Sequence, residues 1–402
     1  MKQSRKNRSD EPEILHAASR LLDTLREKDF HSFGKARESC GLTKAHFDMA
    51  LKLLRKKRVM EIRPQKGRGP LQPCLRIRAE RGYVVAADIG GTNLRVVIAD
   101  IAGTILGKWS GSTAGASPRK VVRLIERAVE KLSRRAGLRA NTLMAIAAGA
   151  PGVTDSRNGV VLLTSYLGGW KDVQLGRMLE RRLGAPAVVE NDVRLGAMGE
   201  RWRGSARNLN DFVFLAIGTG IAAGIYANGE MLRGPEFAAG EVGYLVVPGA
   251  SEACVREGMP GALESAIGGE GIKGQWQSET QRMSGEVLHD LSATDIFERA
   301  MNGDELAKGV LDRSARILAH AVYNISVVLN CPLFILGGGV GMSAILRDAA
   351  ENVLKDYSQP VQPQLRLSSL GPNAQLFGAL RLALDVAEKR IGVRAQKKHS
   401  HE

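Results

Sequence analysis

The chain has 402 residues and a net charge of +15, from 57 Lys and Arg against 42 Asp and Glu. That length holds two or three cores. It contains no apolar run of about 18 residues, which excludes a membrane-spanning helix, and four scattered cysteines (Cys40, Cys74, Cys254, Cys331) exclude a disulfide framework and CxxC metal spacing. Charge is uneven: residues 1–80 carry 20 Lys and Arg against 10 Asp and Glu, net +10, which points to a polyanionic partner there. Met1 to Asp10 is polar and lacks the apolar core of a signal peptide, so a cytoplasmic location is expected.

Residues 1–12 read as disordered. Residues 13–26 space Ile14, Leu15, Ala18, Leu21, Leu22 and Leu25 as a helix does. A short helix over 32–39 is closed by Cys40-Gly41-Leu42. Thr43 is a candidate N-cap for a third helix through Phe47, Ala50, Leu51 and Leu54, whose basic end, Arg55 to Arg58, suits the helix dipole. Val59–Ile62 and Leu75–Ile77 flank a basic glycine loop, 64–70, as a hairpin. Three helices and a basic hairpin make a winged helix-turn-helix over residues 1–80. The third helix would enter a DNA major groove with Thr43, Lys44, His46 and Phe47, and the wing would reach backbone or minor groove with Lys66 and Arg68. The competing reading is a small helical domain that docks on protein.

From residue 82 the chain alternates strand and helix. Strands are predicted at 83–88, 94–100, 143–149, 186–190, 211–217 and 332–336, helices at 118–136, 175–183, 304–329 and 372–389. This predicts an α/β body in two lobes, 82–200 and 201–390, with a returning C-terminal helix and a frayed basic tail, 391–402. Asp88-Ile89-Gly90-Gly91-Thr92 lies between two apolar runs, as a strand–turn–strand. Adjacent glycines let backbone N–H groups approach a phosphate, the Thr hydroxyl adds a bond, and Asp88 can hold a hydrated Mg²⁺. Gly218-Thr219-Gly220 superficially fits a dinucleotide fingerprint. The residues after it, Ile225 to Gly229, read as strand and turn rather than helix, so it reads as a second phosphate turn. Gly337-Gly338-Gly339 follows a strand and can cover an adenine or ribose. Asp192, after Glu190-Asn191, sits at a strand end, where it can take a proton from a substrate hydroxyl; its structural alternative is a helix N-cap. Glu241 and Glu264 fall in glycine-rich turns, and carboxylates there can accept sugar hydroxyls.

Together these motifs resemble the repressor, open reading frame and kinase (ROK) family, in the family's order, from about residue 12 to 388. They are Asp88-x-Gly-Gly-Thr92, Gly149-Ala-Pro-Gly152, Asn191-Asp192, Gly218-Thr-Gly220, Gly240-Glu-x-Gly243 and Gly337-Gly-Gly339. The resemblance implies the two-lobed actin-like ATPase (ribonuclease H-like) fold with a cleft between lobes. The winged helix-turn-helix, with Gly-Arg-Gly-Pro at 67–70, resembles the repressor branch, in which a sugar in the cleft shifts affinity for an operator. Two departures stand out. The family's zinc- and sugar-binding His is Tyr244, and the zinc cysteines align with Val255, Glu257 and Ala262, with Cys254 one residue out of register, so no zinc is expected. The family's sugar-binding Asn aligns with Tyr166.

The sugar pocket expected from this reading comprises Tyr166, Asn191, Asp192, Glu241, Tyr244 and Glu264, and its two tyrosines point away from plain glucose. The leading expectation is a sugar-responsive transcriptional regulator, binding operator DNA as a homodimer or higher oligomer, with no cofactor required. The rival is an ATP-dependent sugar kinase using Mg-ATP, with Asp192 as general base. A regulator that binds nucleotide or phosphosugar without turnover is a third reading.

Overall fold

The computed structural model describes residues 11–27, 32–65, 72–164, 167–250, 260–284, 291–357 and 360–395. The N-terminal head comprises α1 (Glu11–Leu25), α2 (Phe33–Cys40), α3 (Lys44–Lys56), β1 (Met60–Gln65) and β2 (Gln72–Ile77). The apolar stripe of α1, Ala18, Leu21, Leu22 and Leu25, buries against Phe47, Ala50 and Leu54 of α3. α2 starts at Ser32, whose hydroxyl accepts from the Lys35 N–H, and stops at Gly41, where φ of 58° suits a residue without Cβ. β1 and β2 pair antiparallel, Met60 opposite Ile77. This is the expected winged helix-turn-helix. Its core does not end at its border: Ile101, Ile391 and Val393 from the body complete it.

The first lobe of the body is built from β3 (Tyr83–Ile89), β4 (Asn93–Asp100), β5 (Ile105–Ser112), α4 (Pro118–Arg135) and β6 (Leu143–Ala150). After these come a small sheet of β7 (Val153–Asp155), β8 (Val160–Leu163) and β9 (Lys171–Val173), then α5 (Leu175–Leu183), β10 (Ala187–Asn191) and α6 (Asp192–Arg203). The main sheet runs β10-β6-β3-β4-β5, with β3 buried along its whole length because helices cover both faces. The second lobe has β11 (Phe212–Ile217), β12 (Ile221–Ala227), β13 (Glu230–Met231), α7 (Ala262–Ile267), α8 (Gly269–Ser284), α9 (Ala293–Met301) and α10 (Glu305–Leu329). It continues through β14 (Leu333–Gly337), α11 (Ala344–Leu354) and β15 (Gln364–Leu367). Its sheet runs β13-β12-β11-β14-β15. Each lobe therefore repeats one plan: a central strand, an antiparallel hairpin partner on one side and parallel strands on the other. Among the described residues, no helix is long and apolar enough to cross a membrane.

The last helix, α12 (Ala374–Ile391), leaves the second lobe and packs on the first, placing Leu376, Leu380 and Leu384 against Leu195 and the β3–β6 face. It crosses α6 with no side chain between the two backbones. A Cβ on Gly378 would stand 1.8 Å from the Leu195 carbonyl oxygen, and one on Gly199 would stand 2.1 Å from that of Ala374. Gly378→Ala should therefore force the helices apart and cost about 2 kcal/mol or more in urea unfolding. Gly274→Ala in α8, where nothing lies within 4 Å of the new methyl, should be neutral or stabilising by about 0.5–1 kcal/mol. Equal effects at the two positions would contradict this packing.

Candidate functional site

Strand pairing aims three glycine turns at one cleft. In the first, Ile89 pairs with Leu94 and the intervening residues turn, with the Gly90 N–H donating to the Asn93 carbonyl at 2.8 Å. In the second, Ile217 pairs with Ile221 and the Gly218 N–H donates to the Gly220 carbonyl at 2.9 Å, in a strand–turn–strand with no following helix. In the third, Gly338 takes φ of 80°, and a Cβ there would lie 2.3 Å from the Ile217 carbonyl oxygen. The third turn is thus packed onto the second, and the Gly339 nitrogen lies 3.8 Å from where a Cβ on Gly218 would be.

The cleft between the lobes has a volume of about 380 Å³ and is lined by Gly91, Thr92, Asn191, Asp192, Gly218, Thr219, Gly220, Glu241, Glu264 and Gly338. Asp88 lies just behind this wall. Its Oδ2 accepts two hydrogen bonds from Arg95, at 2.9 and 2.5 Å. Burial pushes the Asp88 carboxyl above its ordinary value, and Arg95 opposes that rise. Asp192 heads α6 and accepts from the Val193 N–H at 2.9 Å. Enclosure in the cleft, and then the nearby charge of Asp88, push its carboxyl up to about 7. Burial also raises Glu241. Glu264, in the first turn of α7, accepts from the Ile221 N–H at 2.9 Å, so it braces the second glycine turn as well as facing the cleft.

Some expected site residues prove to have other work. The cap of α6 is Asn191 rather than Asp192: its side chain accepts from the Arg194 N–H at 3.0 Å and donates to the Gly152 carbonyl at 3.0 Å. Asn191 still lines the cleft, but both ends of its amide are engaged. Tyr244 lies at the rim, 53% exposed, where burial and the charges of Glu241 and Glu264 push its phenol up. Tyr166 is outside the described residues, as are Cys254, Val255 and Glu257.

Sequence reasoning missed a buried group beneath the cleft. Glu190, 1% exposed, pairs with Arg194 at 2.9 Å and with Arg233 at 2.8 Å. Arg194 also donates to the Phe237 carbonyl, which ties the segment leading to Glu241 onto the helix that begins at Asp192. Gln375, in the first turn of α12, also lines the cleft and was missed. No motif marks either group; only the topology brings them to the site.

In the head, Thr43 caps α3 by accepting from the His46 N–H at 3.2 Å. Lys44 is exposed and pairs with Asp48 at 3.2 Å, and the His46 ring stands 3.3 Å from Glu13. Phe47 corrects the expectation: it is 3% exposed and belongs to the core between α1 and α3, because its position on α3 faces inward. Lys66 and Arg68 lie outside the described residues.

A family model described as the ROK family matches residues 84–386. The chain belongs to the ROK family. The xylose repressor of Caldicellulosiruptor bescii is 23% identical over 377 residues, 90% of this ROK chain and 94% of that protein. The glucokinase of Halalkalibacterium halodurans is 28% identical over 318 residues, covering 75% and 94%. A crystal structure of a ROK family transcriptional regulator, a homologue of E. coli MLC protein, superposes with a TM-score of 0.78 at 21% identity over 95% of this chain and 98% of that one. That likeness shows the shared fold. A Streptomyces griseus ROK family glucokinase in complex with glucose and AMPPNP gives a TM-score of 0.62 at 26% identity, covering 75% and 99%.

The raised acidity constant of Asp192 has a consequence for stability. Folding favours its protonated form, so its contribution is full below the unfolded value of 3.8 and is lost as pH rises through about 7. Asp192→Asn keeps the shape without the charge. The variant's melting-point advantage over the parent should be nil near pH 4, grow to pH 7 and plateau above it, at about 3 °C or more. A gap independent of pH would mean that the carboxylate is not buried.

Proposed function

We propose that this chain is a DNA-binding regulator, a repressor of carbohydrate genes, whose cleft takes a sugar or sugar derivative as effector. The observation that carries this reading is that the head and the body share one core, through Ile101, Ile391 and Val393, so that the head is seated on the cleft-bearing body. The xylose repressor aligns over 90% of the chain and the glucokinase over 75%, which adds support. The head's excess of basic residues, with Lys44 exposed, suits phosphate contacts, and two half-sites would match a homodimer or higher oligomer. The effector must prefer one cleft geometry. A hundredfold preference supplies about 2.7 kcal/mol of coupling to DNA affinity.

A sugar kinase is the second reading, and Asp192 favours it. A carboxyl held near neutrality at a strand end can take a proton from a sugar hydroxyl. The Asp88 carboxylate and the backbone N–H groups of the glycine turns fit a Mg-nucleotide, which would supply the phosphoryl group and neutralise its charge. The chain's own part would be orientation of the phosphates and receipt of the proton at Asp192. No zinc is proposed, since Ala262 offers no donor atom and Tyr244 replaces the family's His.

DNA from the chain's own upstream region, followed by fluorescence anisotropy, should bind about a thousandfold more weakly at 200 mM than at 50 mM salt. Lys44→Ala should lower the log–log slope by about 1. Binding insensitive to salt would remove the regulator reading. For the kinase reading, ADP release with glucose or N-acetylmannosamine should appear in the parent and vanish in Asp192→Ala. Absence of release in the parent rules that reading out for those sugars.

A further inference from the structure

The outer face of α4 is cationic from end to end. Its inner face, with Val121, Ile125, Ala128 and Leu132, packs into the core of the first lobe. Outward stand Arg119, Arg123, Arg127, Lys131 and Arg135, each four residues from the next and all exposed. Like charges at that spacing repel one another along a helix. No acid lies in the first turn to suit the helix dipole. The two acids of α4 relieve little of this. Glu126 pairs with Arg182 of α5 at 2.7 Å, and among the described residues none of the seven cations of α4 makes an ion pair. Residues 118–139 carry eight Lys and Arg against two Asp and Glu, net +6, whereas residues 81–402 together carry 37 against 32, net +5. The body without this segment is therefore net −1, and a surface built only for solvation would mix the two signs.

The direction of α4 decides what this face can meet. The helix starts at the cleft, where the Thr113 hydroxyl, five residues before Pro118, donates to the Gly90 carbonyl of the first glycine turn at 2.7 Å. It ends at the head. Residues 136–142 lead from Arg135 to Leu143, which opens β6 and pairs with Tyr83, the first residue of β3 after the head. The next residue, Met144, packs against the head's core, and a Cβ on Gly82 would lie 2.6 Å from Met144 Cγ. This end is also the densest part of the cationic face. Lys131, Arg134, Arg135 and Arg139 are exposed with no acid between them in the chain, and the exposed Arg81 lies two residues before Tyr83. Arg119 stands about 24 Å back along the helix, toward the cleft.

We propose that the end of α4 is a second DNA-contacting surface, where Lys131, Arg134 and Arg135 hold backbone phosphates of the duplex flanking the site that the head reads. This rests on the regulator reading above. Duplex DNA carries one negative charge per about 1.7 Å of its axis, so a duplex longer than the head's own site presents phosphates beyond it, to the neighbouring edge of the body. Cations on a helix face that stays outside the grooves fit phosphates rather than base edges. They add affinity and fix orientation without choosing sequence.

The test uses the full-length chain and two triple variants that remove equal charge from exposed positions of the same helix. One is Lys131→Ala, Arg134→Ala and Arg135→Ala at the head end; the other is Arg119→Ala, Lys120→Ala and Arg123→Ala at the cleft end. Alanine is the best helix former, so both should melt within about 3 °C of the parent or above it. Anisotropy follows duplexes of about 40 base pairs, of upstream and of random sequence, from about 50 to 200 mM salt. The head-end variant should bind both duplexes at least about ten-fold more weakly, with a log–log salt slope shallower by about 2 to 3, while the cleft-end variant stays within about two-fold of the parent. Unchanged binding by the head-end variant, or equal losses in the two variants, overturns the proposal. So does a head-end variant that keeps DNA binding and loses binding to phosphatidylserine vesicles, since the partner would then be a membrane surface. The regulator reading is tested apart. Equal affinity of the parent for upstream and random duplexes removes that reading, and the two variants on the random duplex still decide the surface. A parent that binds neither duplex at the lowest salt overturns both.

Discussion

The contact of α6 with α12 at Gly199 and Gly378 is the constraint on which the rest depends. It has no side chains to compress, so the two helices move as one body. α6 carries Asp192 at its start, and α12 carries Gln375 at its start and, toward its end, Arg381 and Glu388, which pair with Asp23 and Arg26 of the head. The first lobe's sheet rests on both helices, through Leu195, Leu376 and Leu380. Cleft and head therefore meet on one paired element rather than across a flexible linker.

The cleft itself balances opposing demands. Three glycine turns present backbone N–H groups, which favour anions, while Asp192 and Glu241 face the same volume and Asp88 lies behind its wall, all three pushed toward neutrality by burial. Arg95 and the Glu190–Arg194–Arg233 group relieve part of that charge from behind. The result suits a ligand that offers hydroxyls to carboxylates and leaves the N–H turns for oxygen acceptors.

Most of the fold was legible because it rests on local pattern. The apolar runs at 83–88 and 332–336 and the spacing in 118–136 lie within a residue of the observed elements, and the three glycine turns fall at strand ends as their sequences imply. β5 was missed because its burial alternates along a half-exposed edge strand, and β7–β9 because three- and four-residue strands carry too short a pattern. At the site, residues within motifs were found and those brought in by topology were not. Gln375 and Arg194 lie outside the motifs, and the ion pairs Arg26–Glu388 and Asp23–Arg381 join residues more than 350 positions apart. Phe47 shows the opposite error: a residue at the right place on the right helix, but turned toward the core.

The shared border also bears on how freely such heads can be exchanged among relatives. A graft that brought in a foreign α1 would have to supply both an acid facing Arg381 and a base facing Glu388, as Asp23 and Arg26 do. Without them the body would be left with ionised groups shut away from water. Exchange of the head is thus restricted by two complementary charges at its border with the body.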